Sequence, residues 1–429
     1  MSFPKYDRYK NSGVEWLGEV PEHWNIDRLK RNLHLLTEKT TRRENPVALE
    51  NIQSWTGCFV PTETEFEGEG IAFECGDILF GKLRPYLAKA YLAKVSGEAV
   101  GDFHVMRPGD ILLGQYSIYQ ILNREFIAIV DGSTFGAKMP RVSWEFMANI
   151  AMGIPPLPEQ RSIATFLDRE TTKIDELIAE QWQLIDLLKE KRQAVISHAV
   201  TKGLNPDAPM KDSAIEWLGE VPEHWEVIPL GNLAIAIQTG PFGSQLHSED
   251  YVDGQTPVIN PSNIQEGKII ANESCTVPVE IVERLSHHIL RPGDVIFGRR
   301  GEMGRCAMVT DFEAGWLCGT GCLNVRLSEK ALPEFVTTFL RTSYVRERLK
   351  LESVGSTMDN LNTSILASIL LPAPPIDEQR LIAAFLDRET AKFDELIAEA
   401  HHAIALLRER RTALISAAVT GKIDVRSLV

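Results

Sequence analysis

Two cationic stretches mark where this chain could do chemistry. Ile78-Leu79-Phe80 is followed by Lys82, Arg84 and Tyr86, and Val295-Ile296-Phe297 by Arg299, Arg300 and Arg305. Gly298, Gly301 and Gly304 in the second stretch would let the backbone come close to a large ligand. That is binding chemistry, and nothing points as clearly to making or breaking bonds. No Gly-x4-Gly-Lys-Ser/Thr phosphate loop occurs, which argues against an ATP motor. Both Pro-Pro pairs, Pro155-Pro156 and Pro374-Pro375, are followed by aliphatic residues and so miss the Asn/Asp-Pro-Pro-aromatic motif of adenine-methylating enzymes. Gly319-Thr320-Gly321 is too short for an S-adenosylmethionine turn. Glu266-Gly267-Lys268 and Glu190-Lys191 supply nuclease-like letters, but one reads as a turn and the other as part of a long helix, and neither has an acidic partner suggested by sequence. Gly-x-Ser-x-Gly and His-Glu-x-x-His are also absent. No catalytic residue is assigned.

Composition narrows the class further. A chain of 429 residues exceeds what a single core usually holds, so two or more domains are expected. With 44% hydrophobic and 24% charged residues it has the make-up of a globular protein. No apolar run approaches the roughly 18–20 residues needed to span a bilayer, and the start, MSFPKYDRYKNSG, lacks the apolar stretch of a signal peptide. A cytoplasmic protein with no membrane partner is expected. The net charge of −14 argues against a generally basic nucleic-acid coat, so any polyanion surface must be a local patch. Among the six cysteines, Cys318 and Cys322 have helix-like spacing, with His287 and His288 as a conceivable second pair. No complete zinc set follows, and reduced structural thiols with no metal are the reading.

The elements that must position these residues are written twice. Glu15–Trp24 (EWLGEVPEHW) recurs unchanged at Glu216–Trp225, an offset of 201. Asn51–Gln53 matches Asn263–Gln265 at 212, Gly76–Gly81 matches Gly293–Gly298 at 217, and Pro156–Thr201 matches Pro375–Thr420 at 219. The order is kept and the offset only grows, as expected of a tandem duplication with insertions in the second copy. The ends of the units stay alike while the interiors have drifted, which suggests a shared job at the ends and different targets in between.

Each unit closes with a long amphipathic stretch. After Pro155-Pro156-Leu157-Pro158 there is no Pro or Gly until Gly203, and Ile163, Phe166, Leu167, Ile174, Leu177 and Ile178 recur at three- and four-residue steps. Ile382, Phe385, Leu386, Phe393, Leu396 and Ile397 repeat the pattern. Each helix should run about 40 residues, or roughly 60 Å, and needs a partner along its length, most simply its own copy packed antiparallel. The second helix would then end beside residues 1–14. The interiors carry short β-rich runs such as Phe126–Val130 and Thr256–Ile259 between turns. Trp16, Leu17, Val20 and Trp24 are expected to clip helix to globule. The expected class is α+β: two mixed α/β globules and two long antiparallel helices with pseudo-two-fold symmetry. The division is residues 1–154, a helix at 155–202, linker and second globule at 203–373, and a helix at 374–429.

The twin EWLGEVPEHW segments, PLPEQR/PIDEQR, FLDRET, DELIAE and AVTKG/AVTGK together resemble the specificity subunits of type I restriction-modification systems. The resemblance covers the whole chain. It implies that each interior is a target-recognition domain reading half of an asymmetric bipartite site on double-stranded DNA. It also implies that the helices form a spacer docking two methyltransferase (modification) subunits, which methylate adenine N6 with S-adenosylmethionine. A motor-nuclease (restriction) subunit using ATP and Mg2+ would join for cleavage, and no cofactor is expected on this chain itself. Within that frame, DNA contacts are expected at Lys82, Arg84, Lys138 and Arg141 in the first domain. In the second they are expected at Gln245, Arg299, Arg300 and Arg305. Residues 25–150 carry 14 Lys+Arg against 16 Asp+Glu, and residues 226–370 carry 12 against 17, so weak DNA binding by the chain alone is expected. A DNA-binding regulator would instead need tight binding alone. A coiled-coil scaffold with protein-binding heads would explain the helices but not the diverged interiors.

Overall fold

In both halves an aspartate directly after a turn glycine starts the central strand of the main sheet. The structure, a computed structural model, describes residues 3–41, 44–62, 68–134, 138–302, 304–353 and 361–429. It divides into one unit of residues 1–183 with 400–429 and another of residues 184–399. In the first unit the main sheet joins β1 (Leu33–Leu36), β2 (Ile78–Gly81), β3 (Ala90–Leu92) and β4 (Phe103–Pro108), all antiparallel in the order β1-β4-β2-β3. Asp77, almost wholly buried, accepts Glu74 N at 2.7 Å and two hydrogen bonds of 2.8 Å from the Arg107 guanidinium on β4. A buried carboxylate is tolerable only when its oxygens are so occupied.

The apolar triplet after that aspartate is buried on both faces, as an uninterrupted run in a strand should be. Ile78 and Phe80 join Tyr116, Ile121, Phe126 and Val130 in one core, while Leu79 faces Val47, Phe73 and Ala99 of a smaller sheet. Two short helices, α1 (Gly114–Ile121) and α2 (Arg124–Gly132), cover the first face. The run Phe126–Val130, expected as a strand, is therefore helical. Phe126, Ile127 and Val130 fall on one helical face, and the Asn123 side chain caps the start by accepting Glu125 N at 2.9 Å. Five residues were too few to separate the two periods.

The second unit repeats the plan with β5 (Ala234–Thr239), β6 (Val295–Gly298), β7 (Cys306–Met308) and β8 (Cys322–Leu327), in the order β5-β8-β6-β7. Asp294 takes the place of Asp77, accepting Arg291 N, Asn324 Nδ2 and two bonds from Arg326 on β8 at 2.7–3.0 Å. Helices α4 (Pro333–Leu340) and α5 (Ser343–Ser353) answer to α1 and α2. Thr256–Ile259 forms a strand as expected, in a three-stranded sheet where the first unit has a four-stranded one.

The long helices are α3 (Leu157–Lys202, 46 residues) and α6 (Ile376–Val419, 44 residues). Gly203 ends α3 and Gly421 ends α6, each in the left-handed region at φ near +70° where glycine is unstrained. Within the first unit the two helices run antiparallel: Arg411 Nε pairs with Asp175 at 3.0 Å, and Trp182 meets His401 edge-on. Within the second unit Ile196, Ala199 and Val200 pack with Ile382 and Leu386. Asp424 N donates to Pro4 O at 2.8 Å, so the chain beyond α6 does lie beside the first residues.

The EQR segments fasten each helix to its globule. The Gln160 side chain, fully buried, accepts Leu113 N and donates to Ile111 O and Pro155 O at 2.8–2.9 Å. Gln379 does the same with Leu332 N, Lys330 O and Pro374 O. Beside it Glu159 accepts Tyr6 Oη, His23 Nε2 and Trp24 Nε1 at 2.7–2.8 Å, while Leu17, Val20 and Trp24 pack against Ile163, Phe166 and Ile415. The clip expected from the repeat is thus polar as well as apolar. Gln160→Met keeps the volume but removes three hydrogen bonds to backbone groups, of which the Pro155 carbonyl is buried. It should lower the unfolding free energy by about 2–5 kcal/mol in urea titration, whereas Arg161→Met at the adjacent exposed position should change it by about 0.5 kcal/mol or less.

Candidate nucleic-acid interface

In the first globule the chain after β2 runs beside residues 138–142. Leu83 and Arg141 form a bridge, Arg84 N donates to Pro140 O at 2.8 Å, and Val142 N donates to Lys82 O at 3.0 Å. Backbone pairing therefore brings Lys82, Arg84, Lys138 and Arg141 to one place, as their shared assignment requires. Asp102 braces the junction. Its backbone oxygen accepts Lys82 N at 2.9 Å, and its carboxylate takes the Arg141 guanidinium at 2.8 and 3.3 Å with Lys82 Nζ at 3.6 Å. Burial works against the charged form of Asp102, but the Arg141 hydrogen bond and the charges of Arg141 and Lys82 outweigh it and hold the carboxyl below its ordinary range.

Two of the four cations are thus neutralised where they stand. Arg84 and Lys138 are exposed, and among the described residues neither side chain has a hydrogen-bond or ion-pair partner. Arg84 sits in the left-handed region at φ 50°, a conformation costing a non-glycine residue about 1–2 kcal/mol. Arg84 O accepts Leu87 N at 3.0 Å, which with the Pro140 bond holds the turn in that form.

In the second globule the cations stand on the loop between β6 and β7. Arg299 pairs its backbone with Gly321 and Leu361, and its Nε donates to Leu361 O at 3.0 Å, so this guanidinium is turned back on the fold. Arg305 makes an exposed ion pair with Glu302 at 2.9 Å, which solvent screens. Arg300 is exposed with no partner among the described residues. The glycines serve the fold more than a ligand. A Cβ at Gly304 would come 2.7 Å from Arg346 Cγ, and one at Gly298 would come 3.3 Å from Pro261 Cβ, whereas Gly301 faces open space. Gln245 is not gathered with this loop by any hydrogen bond among the described residues. It closes its own turn by accepting Phe242 N at 3.0 Å.

Sequence reading missed Asp102, and no local pattern marks it. Its role depends on partners far away in the chain. The Asp77–Arg107 and Asp294–Arg326 pairs escaped for the same reason. Burial raises the Cys318 thiol to about 12, which disfavours a metal-binding thiolate, and no group of three His, Cys, Asp or Glu among the described residues could hold a metal ion. No helix among the described residues is long and apolar enough to cross a membrane.

Comparison with known proteins points to the same family. Residues 222–404 match the type I restriction modification DNA specificity domain. Over its whole length the chain is 24% identical to the type I restriction enzyme MjaVIII specificity subunit of Methanocaldococcus jannaschii, covering 99% of that protein. It is 26% identical to the EcoKI specificity subunit of Escherichia coli over 48% of this chain and 44% of that one. The fold matches a chain from a study of complex assembly and conformational transition of the type I R-M system. There the TM-score is 0.73 at 19% identity, over 93% of this chain and 98% of that one. It also matches the HsdS subunit of Thermoanaerobacter tengcongensis, with a TM-score of 0.53 at 18% identity over 94% and 98% of the two chains. Residues 222–404 thus carry a type I restriction modification DNA specificity domain, and over its whole length the chain is similar to type I specificity subunits. The matched stretch holds the Arg299–Arg305 loop and the first part of α6, so globule and helix fall within one family signature.

Asp102 gives this site a pH signature. A carboxyl lowered by folding contributes stability above its unfolded pKa of roughly 3.9, and that contribution is lost as pH falls through the lowered folded value. In a carboxyl-carbon NMR titration Asp102 should titrate below ordinary aspartates. Asp102→Asn should speed exchange of the Arg84 and Val142 amides at neutral pH. A titration at or above the ordinary value would show that the brace does not form.

Proposed function

We propose that this chain is a specificity subunit that reads double-stranded DNA as two words, one per globule, and supplies no catalytic centre of its own. The observation that carries this is the repetition of one plan with different fittings. Each globule keeps the aspartate-started central strand and presents after it an exposed arginine with no partner among the described residues, Arg84 in one and Arg300 in the other. The small sheets and loops around those arginines differ. Arginine can grip guanine bidentately, and each such pair is worth about 1–3 kcal/mol of discrimination.

The proposed partners are two methyltransferase subunits docked on the helices, which methylate adenine N6 with S-adenosylmethionine. A motor-nuclease subunit driven by ATP and Mg2+ would cleave, and the complex would work in the cytoplasm. The helices would set the distance between the words. Their support is continuity: neither is interrupted within its 46 or 44 residues. The acidic balance of both globules supports delegation of much of the phosphate contact to the methyltransferase subunits.

The test is a map of N6-methyladenine in cells holding the cognate methyltransferase, with and without this chain. A two-part motif that depends on the chain is expected. Arg84→Ala should reduce methylation by roughly tenfold or more, or relax one word, and Arg300→Ala should do so at the other word. Unchanged methylation in both variants would reject these arginines as readers. Absence of any motif from an assembled complex would reject the function.

A further inference from the structure

A cleft of about 580 Å3 opens in the second unit between the long helices and α4–α5. Guanidinium groups line it from separate elements: Arg192 on α3, Arg341 just after α4, Arg346 on α5 and Arg380 on α6. Three of them are poorly neutralised. Arg341 Nη2 donates to Glu266 O at 2.7 Å and Arg346 Nη2 to Arg341 O at 3.0 Å, both uncharged carbonyls. Among the described residues neither has a carboxylate within ion-pair distance. Arg192 Nε is buried without a hydrogen bond, although the largely exposed Asp394 lies 3.3 Å away. Burial lowers the pKa of Arg341, and the charges of Arg192 and Arg346 add to the effect. Ile196, Leu332 and Ala383 give the cleft an apolar floor. Glu334 and Asp387 also line the cleft, but among the described residues neither pairs with Arg341 or Arg346, and cations held on such a surface without a paired carboxylate weaken the fold.

The first unit has this space filled. At the offset of 219, Thr338 corresponds to Tyr119, Arg341 to Leu122 and Arg346 to Ile127. The Tyr119 hydroxyl donates to Asp168 at 2.5 Å and meets Thr171 at 3.3 Å. The counterparts of those two residues, Asp387 and Thr390, line the open cleft. Leu122 and Ile127 belong to the core. One copy therefore closes the space with a ring and two aliphatic side chains, and the other opens it and adds two guanidinium groups. The fold had a better-packed solution available and does not use it here.

We infer that the cleft is a phosphate-binding site of the second unit, in which Arg192, Arg341 and Arg346 neutralise one phosphate oxyanion. Guanidinium groups suit this work because their donors match the spacing of phosphate oxygens. The oxyanion comes either from a free phosphate compound or from a DNA backbone phosphodiester. The second source is within reach because Arg346 also packs against Gly304 of the 299–305 loop. The site does not depend on the two-word reading of DNA, and its test reads no methylation.

The experiment is thermal unfolding of the full chain titrated with pyrophosphate, against sodium chloride of equal ionic strength. A saturable rise in Tm is expected with pyrophosphate alone. Arg341→Gln should raise the half-saturating concentration by about tenfold. Thr338→Tyr, which restores the filling residue of the first copy without removing a cation, should abolish the response while leaving Tm in chloride at or above that of the parent. Should Arg341→Gln fail to fold, Thr338→Tyr decides. If the source is DNA, pyrophosphate gives no response. The assembled methyltransferase complex with Thr338→Tyr then binds non-specific duplex with a log–log salt slope smaller by about one. A pyrophosphate response that survives in Thr338→Tyr overturns the inference, as does a variant matching the parent in both assays.

Discussion

A single buried carboxamide holds each long helix to its globule, and the rest of the arrangement within each unit depends on it. Gln160 and Gln379 stand in the first turn of their helices, where their own N–H groups bond back to Pro156 O and Pro375 O at 3.0 Å and leave the side chains free to bond elsewhere. Each side chain reaches back to the connection that precedes α1 or α4 and to the proline carbonyl before the helix. Three bonds in a dry site fix both the axial position and the rotation of the helix. The rotation in turn decides which side chains face the globule: Ile163, Phe166 and Leu167 in one unit, Ile382 and Leu386 in the other. An apolar seam alone would permit sliding by a turn. A carboxamide with both ends satisfied does not.

This joint explains why two distant segments stay alike in both copies. The PEHW end of the repeat supplies His23 and Trp24 to Glu159, and His224 to Glu378, so repeat and helix start are two sides of one contact. The copies are not equal, however. Glu159 also holds Tyr6, and the segment after α6 covers that tyrosine with Arg426. In the second unit Trp225 Nε1 is buried without a hydrogen-bond partner among the described residues. The cluster around Glu159 is thus the more fully satisfied of the two joints.

What was legible in the sequence was whatever repeats over many residues or across the two copies. The long helices stood out because Pro156 and Gly203 bracket an unbroken apolar period. The central strands stood out because Ile78–Phe80 and Val295–Phe297 each follow a Gly-Asp turn. The misreading of Phe126–Val130 came from a run shorter than two helical turns. At the candidate interface, the cationic letters were visible but their neutralisation was not. Arg141 looks as free as Arg84 until Asp102 is brought beside it by a pairing some forty residues away. Gly304 looks like a place for ligand approach until Arg346 is found against it. Spacing along the chain carries no information about such partners.

The economy of unpaired cations bears on how an acidic chain could read a polyanion. Of the eight candidate residues, Lys82, Arg141, Arg299, Arg305 and Gln245 already have partners within the fold, leaving Arg84, Lys138 and Arg300 exposed without partners among the described residues. Non-specific affinity grows with the number of phosphates neutralised, so three free cations among the candidate readers, on a chain of net charge −14, give little of it. Base discrimination needs only a few well-held donors, and holding them is what the surrounding ion pairs do. Strong phosphate binding by the reader itself would keep it on arbitrary sequence. An acidic body with a few braced arginines avoids that, and leaves residence on DNA to be set by the subunits that join it.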